Sequence, residues 1–280
     1  MKKTILVLAG LGFGAAAQAT SILPDFANAQ YTVNGGYESK HIVRGLEEAG
    51  HTYTADAKVD TGSLYLGALT NQPRHREGVE VTGDASFYAG YKWALGTCPC
   101  DDSTIVGDIR YLYSTDTSDA EGDNVNHYNE LAFGIRADDK FLEPSLYVYY
   151  TVESNGITPE LSIGHTFWLI NGDDTDTQAK EGEKRASNAK GVKLVLSNAI
   201  GYTRQGDMSY AGQVSGLHEE NDSYFYNTAK ADIVWNITDM LHVSVGGRRS
   251  VNSSNTEPYA TRSSFDNNSL WYGAEVGLTF

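Results

Sequence analysis

The sequence predicts an all-β fold: a transmembrane, antiparallel, up-and-down β-barrel of about twelve strands with both termini on the periplasmic side. Three observations predict it. The last residues form a strand in which Tyr272, Ala274, Val276, Leu278 and Phe280 alternate with Trp271, Gly273, Glu275, Gly277 and Thr279, the period-two signature of a half-buried β-strand. Segments with the same alternation recur through the chain. No stretch approaches the roughly 18 apolar residues that a membrane helix needs, so any crossing must be made by strands.

At the start, Lys2 and Lys3 precede an apolar run from Thr4 to Ala17, and Ala17-Gln18-Ala19 supplies the small residues of a cleavage site. Residues 1–19 are expected to be a signal peptide and 20–280 one barrel domain, with Ala27-Asn28-Ala29 as a second possible site. No Cys follows the run, so lipoprotein processing is not indicated. Loss of Lys2 and Lys3 takes the formal net charge from −15 to −17, which argues against a nucleic-acid partner, since phosphate binding needs clustered Lys and Arg. The 29 glycines and 18 tyrosines among 280 residues suit lipid-facing β-structure, with Gly where strands bend or crowd and Tyr at the interfaces. A mean hydropathy of −0.38 does not oppose this, because a barrel hides its lipid face in alternation.

Twelve alternating segments follow in order: 31 to 44, 51 to 59, 62 to 70, 80 to 93, 104 to 114, 127 to 137, 141 to 152, 158 to 168, 192 to 203, 223 to 236, 239 to 249 and 269 to 280. Parity gives each an apolar face. That face carries Tyr31 and Val33 in the first; Val81, Ala85, Phe87, Ala89, Tyr91 and Trp93 in the fourth; and Leu131, Phe133 and Ile135 in the sixth. It carries Leu161, Ile163 and Phe167 in the eighth and Ala229, Ala231, Ile233 and Trp235 in the tenth. Opposite faces are polar, as with Thr82, Asp84, Ser86 and Lys92, or Thr228, Lys230 and Asp232. The seventh segment contains Pro144, which cannot donate to a ladder without a free edge, so the strand is expected to begin after it or to bulge there. The last strand is expected to pair with the first and remove both edges.

An even strand count places the termini together, and the connections agree. Those assigned outside the cell (45 to 50, 71 to 79, 115 to 126, 153 to 157, 204 to 222, 250 to 267) are mostly long and polar, whereas Asp60-Thr61 and Asp138 to Lys140 make short periplasmic turns. The segment 169 to 191 departs from the pattern: it is too long for such a turn and fits either a disordered tongue or a further hairpin. Outward aromatics collect at two levels, as an amphipathic ring prefers the membrane interfaces. Tyr31, Trp93, Phe167, Trp235 and Phe280 form the expected periplasmic girdle, and Tyr53, Tyr113, Tyr150, Tyr202, Phe225 and Tyr272 the external one.

The inward positions carry charges of both signs. Expected pore-lining residues are Glu38, Lys40, Arg44, Asp84, Lys92, Asp108, Arg110, Glu130, Arg136, Lys230, Asp232, Arg248 and Glu275, and Asp56, Lys58, Glu160 and Lys193 share their parity. Eight strands fill their own interior and sixteen to eighteen leave an aqueous channel, so about twelve leave a narrow lumen in which charge rings set ion selectivity. The same charges could instead pair across strands and plug the barrel. The net negative charge then resides in connections such as Asp116 to Asp123 and Glu219 to Asp222; such runs are usually solvated, but could draw cations to a pore mouth or share divalent ions with lipopolysaccharide.

Other chemistry finds little support. Asp173-Asp174-Thr175-Asp176 lacks the glycine and distal Glu of an EF-hand. Cys98 and Cys100 flank Pro99; they are a possible disulfide, a strained local staple or, less simply, a redox pair. Arg74-His75-Arg76 suits lipid phosphates. A barrel phospholipase needs Ser and His together on the lipid face; His41 and His165 have outward parity but sit in no nucleophile motif. No metal spacing and no cofactor are indicated.

Tyr37-Glu38-Ser39-Lys40-His41-Ile42-Val43-Arg44-Gly45, followed by Val59-Asp60-Thr61-Gly62-Ser63-Leu64-Tyr65-Leu66-Gly67, resembles the opening of the TorF-type porin family, whose first strand carries an aromatic, a Ser and then Arg-Gly at its outer end. The match covers about a fifth of the mature chain plus the terminal strand. The resemblance implies a small outer-membrane barrel of porin type. The resulting expectation is passive diffusion of small hydrophilic solutes or ions, without enzymatic activity. The alternative is a plugged structural or adhesive barrel whose external loops bind a partner. Expected partners are outer-membrane lipids, lipopolysaccharide and, through the C-terminal strand, the barrel-assembly machinery; the oligomeric state is left open.

Overall fold

A computed structural model describes residues 28–74, 83–97, 104–116, 127–138, 142–171, 190–204, 223–253 and 268–280. Fourteen strands are present among them: β1 (Gln30–Glu38), β2 (His41–Val43), β3 (Leu46–Ala49), β4 (Thr52–Asp60), β5 (Leu64–Pro73), β6 (Asp84–Thr97), β7 (Thr104–Asp116), β8 (His127–Asp138), β9 (Ser145–Thr151), β10 (Gly156–Asn171), β11 (Gly191–Arg204), β12 (Ser223–Asn236), β13 (Leu241–Asn252) and β14 (Asn268–Thr279). Twelve of them, β1 and β4 to β14, form one closed antiparallel barrel in sequence order, as the alternation predicts. β2 and β3 pair only with each other.

Closure joins the first stave to the last. Thr32 faces Thr279 and Glu38 faces Gly273, and Tyr31 and Phe280 exchange backbone hydrogen bonds of 3.1 and 2.8 Å. With this seam made, the sheet has no open edge. Tyr31 and Phe280 lie at one end of the barrel, called here the terminus end; the opposite end is the far end.

Among the described residues the barrel has no conventional apolar core. Side chains converge inside a closed barrel and diverge outside it, so contacts between second-neighbour strands mark the interior. By that criterion Asp56, Tyr65, Asp108, Tyr147, Glu160 and Tyr226 point inward. The opposite parity carries the exposed large apolar groups, among them Val33, Phe87, Phe133, Ile163, Ile200, Ile233, Val245 and Val276. The polarity is inverted relative to a water-soluble sandwich, whose apolar faces meet inside.

Local chemistry sets the turns and stave ends. Between β4 and β5, Gly62 has φ of +89°, Thr61 N–H donates to Leu64 O at 2.9 Å, and Gly62 N–H donates to Asp60 Oδ1 at 2.9 Å. β9 begins at Ser145, directly after Pro144, whose carbonyl accepts from Ala137 N–H at 3.0 Å. A second proline, Pro159, lies within β10. Its ladder to β11 steps from Ile157↔Arg204 to Glu160↔Gly201, and the Thr158 hydroxyl bridges the interval to Thr203 Oγ1 at 3.2 Å.

Several expected boundaries move by one to four residues, and one differs in kind. The segment read as a first strand through Arg44 ends as a stave at Glu38. The chain then reverses and forms the β2–β3 hairpin, so Arg44 lies at a hairpin tip and not in a stave, and residues 46–49 are strand where a loop was expected. His41 leaves the outward parity with it. The Val81 and Thr82 positions, the acidic runs beyond Asp116, the core of segment 169 to 191, and Cys98 and Cys100 lie outside the described residues.

Candidate functional site

The interior wall is built from a repeated three-strand device. Tyr147 on β9 lies across Gly134 of β8 and donates its hydroxyl to Asp108 Oδ2 on β7 at 2.8 Å. From the other side, Tyr65 on β5 crosses Gly90 of β6 to Asp108 Oδ1 at 2.9 Å. Tyr88 crosses Gly67 to Asp56 Oδ1 at 3.0 Å, and Tyr226 crosses Gly201 to Glu160 Oε2 at 2.6 Å. In each case a Cβ on the glycine would collide with the ring. Only glycine lets the ring lie flat and span the intervening strand. The carboxylates gain charge-assisted bonds.

Charged side chains complete the wall. Arg248 passes over Gly273 to an ion pair with Glu38, across the seam from β13 to β1, with its other nitrogen 3.7 Å from Asp232. Lys92 reaches both oxygens of Asp60, at 2.8 and 3.1 Å, and Lys58 joins the same carboxylate at 2.8 Å. His242 stands 3.5 Å from Glu275. Asp84 accepts from the Asn71 amide at 3.2 Å.

The hairpin occupies the lumen. Val43 and Leu46 pair, leaving Arg44 and Gly45 as a two-residue turn. Their φ values of +47° and +82° are the signs that a type I′ turn requires. Arg44 pays roughly 1–2 kcal/mol for this left-handed conformation. What it gains lies on the other side of the barrel. Its guanidinium pairs with Glu130 of β8 and stacks 4.6 Å from the ring centroid of Tyr149 on β9, about half a circumference from the β1–β4 root. Arg110 approaches the same ring at 5.9 Å. Gly45 sits against Tyr226, where a Cβ would be 2.5 Å from the ring-bearing carbon, and its carbonyl accepts from the Asn252 amide at 2.8 Å.

Burial follows the hairpin. Inward Thr52, Ser86, Ser114, Ala132, Ser250 and Ser269, all in the far half, are 3% exposed or less. Toward the middle and the terminus end the lumen opens: inward Lys230 is exposed, and the Glu275 side chain is 41% exposed. Apart from glycines, Tyr65, Asp108 and Asn236 are the buried exceptions there among the described residues. At the far rim, outside the staves, Glu153 accepts from Asn129 N–H at 2.8 Å. Burial pushes that carboxyl's pKa up, but the Asn129 bonds outweigh it and hold the group below its ordinary value.

The sequence-predicted lining residues therefore fall in two groups. Glu38, Asp84, Lys92, Asp108, Arg110, Glu130, Arg136, Lys230, Asp232, Arg248 and Glu275 share the inward parity of the staves, whereas Lys40 and Arg44 belong to the hairpin. Tyr31, Phe167, Trp235 and Phe280 are exposed on the outer face near the terminus end, with Trp93 at the same level; Tyr53, Phe225 and Tyr272 are exposed near the far end, with Tyr113, Tyr150 and Tyr202. His165 stays on the outer face, edge-on to Phe167 at 4.0 Å. Sequence alone does not place the tyrosines of the three-strand device, or Asp60, in the lumen. A Gly opposite a Tyr is visible only once strand register is known.

The class defined by this geometry is a closed twelve-strand barrel with an apolar outside and a charged, partly filled inside. No family model matches the chain, and no curated protein matches it. Among solved structures, the KdgM porin in complex with disordered oligogalacturonate is similar, at 9% identity over 90% of this chain and 98% of that one, with a TM-score of 0.45. The NanC porin is similar at 12% identity over 89% and 98%, also with a TM-score of 0.45. A bacterial polysaccharide outer membrane secretin aligns at 13% identity over 90% and 97%, with a TM-score of 0.34. At those scores the likenesses say nothing about what this lumen carries.

Proposed function

We propose that the chain is an outer-membrane channel of porin type for small hydrophilic solutes or ions, with the terminus end in the periplasm and the far end outside. The observation that supports it best is the inverted polarity: exposed apolar side chains around the outer face, with Lys230 and Glu275 water-accessible inside. Lipid would cover the first surface, since in a bilayer only helices and closed barrels satisfy their backbones. Solutes would follow the second. On this reading Tyr31, Trp93, Phe167, Trp235 and Phe280 anchor the periplasmic interface, and Tyr53, Tyr113, Tyr150, Tyr202 and Tyr272 the external one. TorF-type membership remains a resemblance carried by residues 37–45 and 59–67, and Arg44-Gly45 from that pattern is the hairpin tip.

Conductance of the purified, refolded chain in planar bilayers tests the channel. Discrete current steps are expected. A folded barrel that stays silent in every variant described below would overturn the reading in favour of a plugged structural or adhesive barrel, which the paired wall charges and the filled far half favour.

A further inference from the structure

We propose that β2–β3 is a hinged plug, which closes the far half of the lumen in the state described and swings toward solvent when the channel conducts. This regulation rests on the channel reading above. Its root is built to pivot. Glu38 and Thr52 face each other in the β1–β4 ladder, so the hairpin leaves and re-enters the wall at adjacent points, and its movement breaks no stave pairing. The flanks of the root are fixed: Ser39 N–H donates to Tyr272 O at 2.9 Å, and Arg74 N–H donates to His51 O at 2.7 Å. Bends follow directly on the inner side of each anchor, at Lys40 and Gly50. β2 and β3 form a ladder of their own and share none with a stave, so the unit can move as a piece.

The seat is polar. Arg44 pairs with Glu130 and stacks on Tyr149, and the Asn252 amide binds Gly45 O. Water can replace each of these bonds when the tip withdraws, whereas a seal made of packed apolar side chains would expose them at every opening. The water-accessible lumen already reaches the middle of the barrel, at Lys230 and Glu275. The hairpin occupies the half beyond.

Single-channel recording of the full barrel tests this. Wild-type protein is expected to alternate between closed and open levels. Arg44→Ala and Glu130→Ala should each raise the open fraction severalfold, and the double variant should add little to either, because both remove one latch. Replacing residues 39–51 with Asn-Gly, the two-residue turn that a paired Glu38 and Thr52 accept, should hold the channel at the open level. Heat-modifiable migration and β-type circular dichroism verify folding. Point variants that leave the open fraction unchanged, or alter only step height, would overturn the plug in favour of a fixed constriction while leaving the channel standing. Silence of wild-type and excised barrels alike would remove both.

Discussion

Asn198 and Asn227 show how single residues are accommodated on an apolar outside. Both have outward parity on β11 and β12, and their amides exchange hydrogen bonds of 2.9 and 3.4 Å, with Asn227 Nδ2 also donating to Ala199 O at 3.2 Å. On an outer face that the proposed function places against lipid, a polar group is tolerated only when bonded. Asn227→Leu alone should therefore destabilise the barrel by about 1–3 kcal/mol, because it orphans Asn198. The double change Asn198→Leu, Asn227→Leu should recover most of that loss. Urea unfolding midpoints in lipid vesicles measure it; a double variant no better than the single would show that the pair does not share its bonds. Nothing in the sequence marks these two as partners, since they lie 29 positions apart and only register brings them together.

At the scale of strands, the Tyr-over-Gly spans tie β5 and β9 to β7, β6 to β4 and β12 to β10. Gly134→Ala would force Tyr147 off Asp108, and overpacking of this kind costs about 1–3 kcal/mol. Gly247→Ala is the control: a Cβ there meets nothing within 4 Å, and the change should be neutral or slightly stabilising. Equal midpoints for the two variants would show that the span carries no strain-sensitive packing. The staves themselves were legible, because outward and inward environments impose the same period of two that a reader counts. β9 illustrates it: Pro144 cannot donate to a closed ladder, and the strand starts one residue later. The hairpin was not legible. Val43-Arg44-Gly45 continues the alternation of Tyr31 to Glu38, so parity runs through the reversal. Its reasons for turning inward, Glu130 and Asn252, lie 86 and 207 positions away.

For the whole molecule, the lumen's charges are nearly balanced, and many are committed to one another: Arg248 to Glu38, Lys92 and Lys58 to Asp60, Arg44 to Glu130. On the channel reading proposed above, such a lining should discriminate weakly between ions of opposite sign. Lys230 is the exposed exception on the inward face of β12. Lys230→Glu should shift the zero-current potential under a salt gradient toward cations, since water-exposed wall charge sets the local ion concentration. An unmoved potential would take Lys230 out of the conduction path. The location of Lys230 on the inner wall followed from parity, but its exposure among paired neighbours did not, because pairing is a property of the assembled ring.

The distance in sequence between Gly45 and Asn252 also dictates a chronology. The hairpin directly follows the first stave, β1, in the chain, yet the strands that receive its tip are β8, β9, β12 and β13, written much later. Contacts of such separation form late. While staves are still being added, the tip has no seat, and the stopper can enter the bottle only as the last staves bring the glass around it.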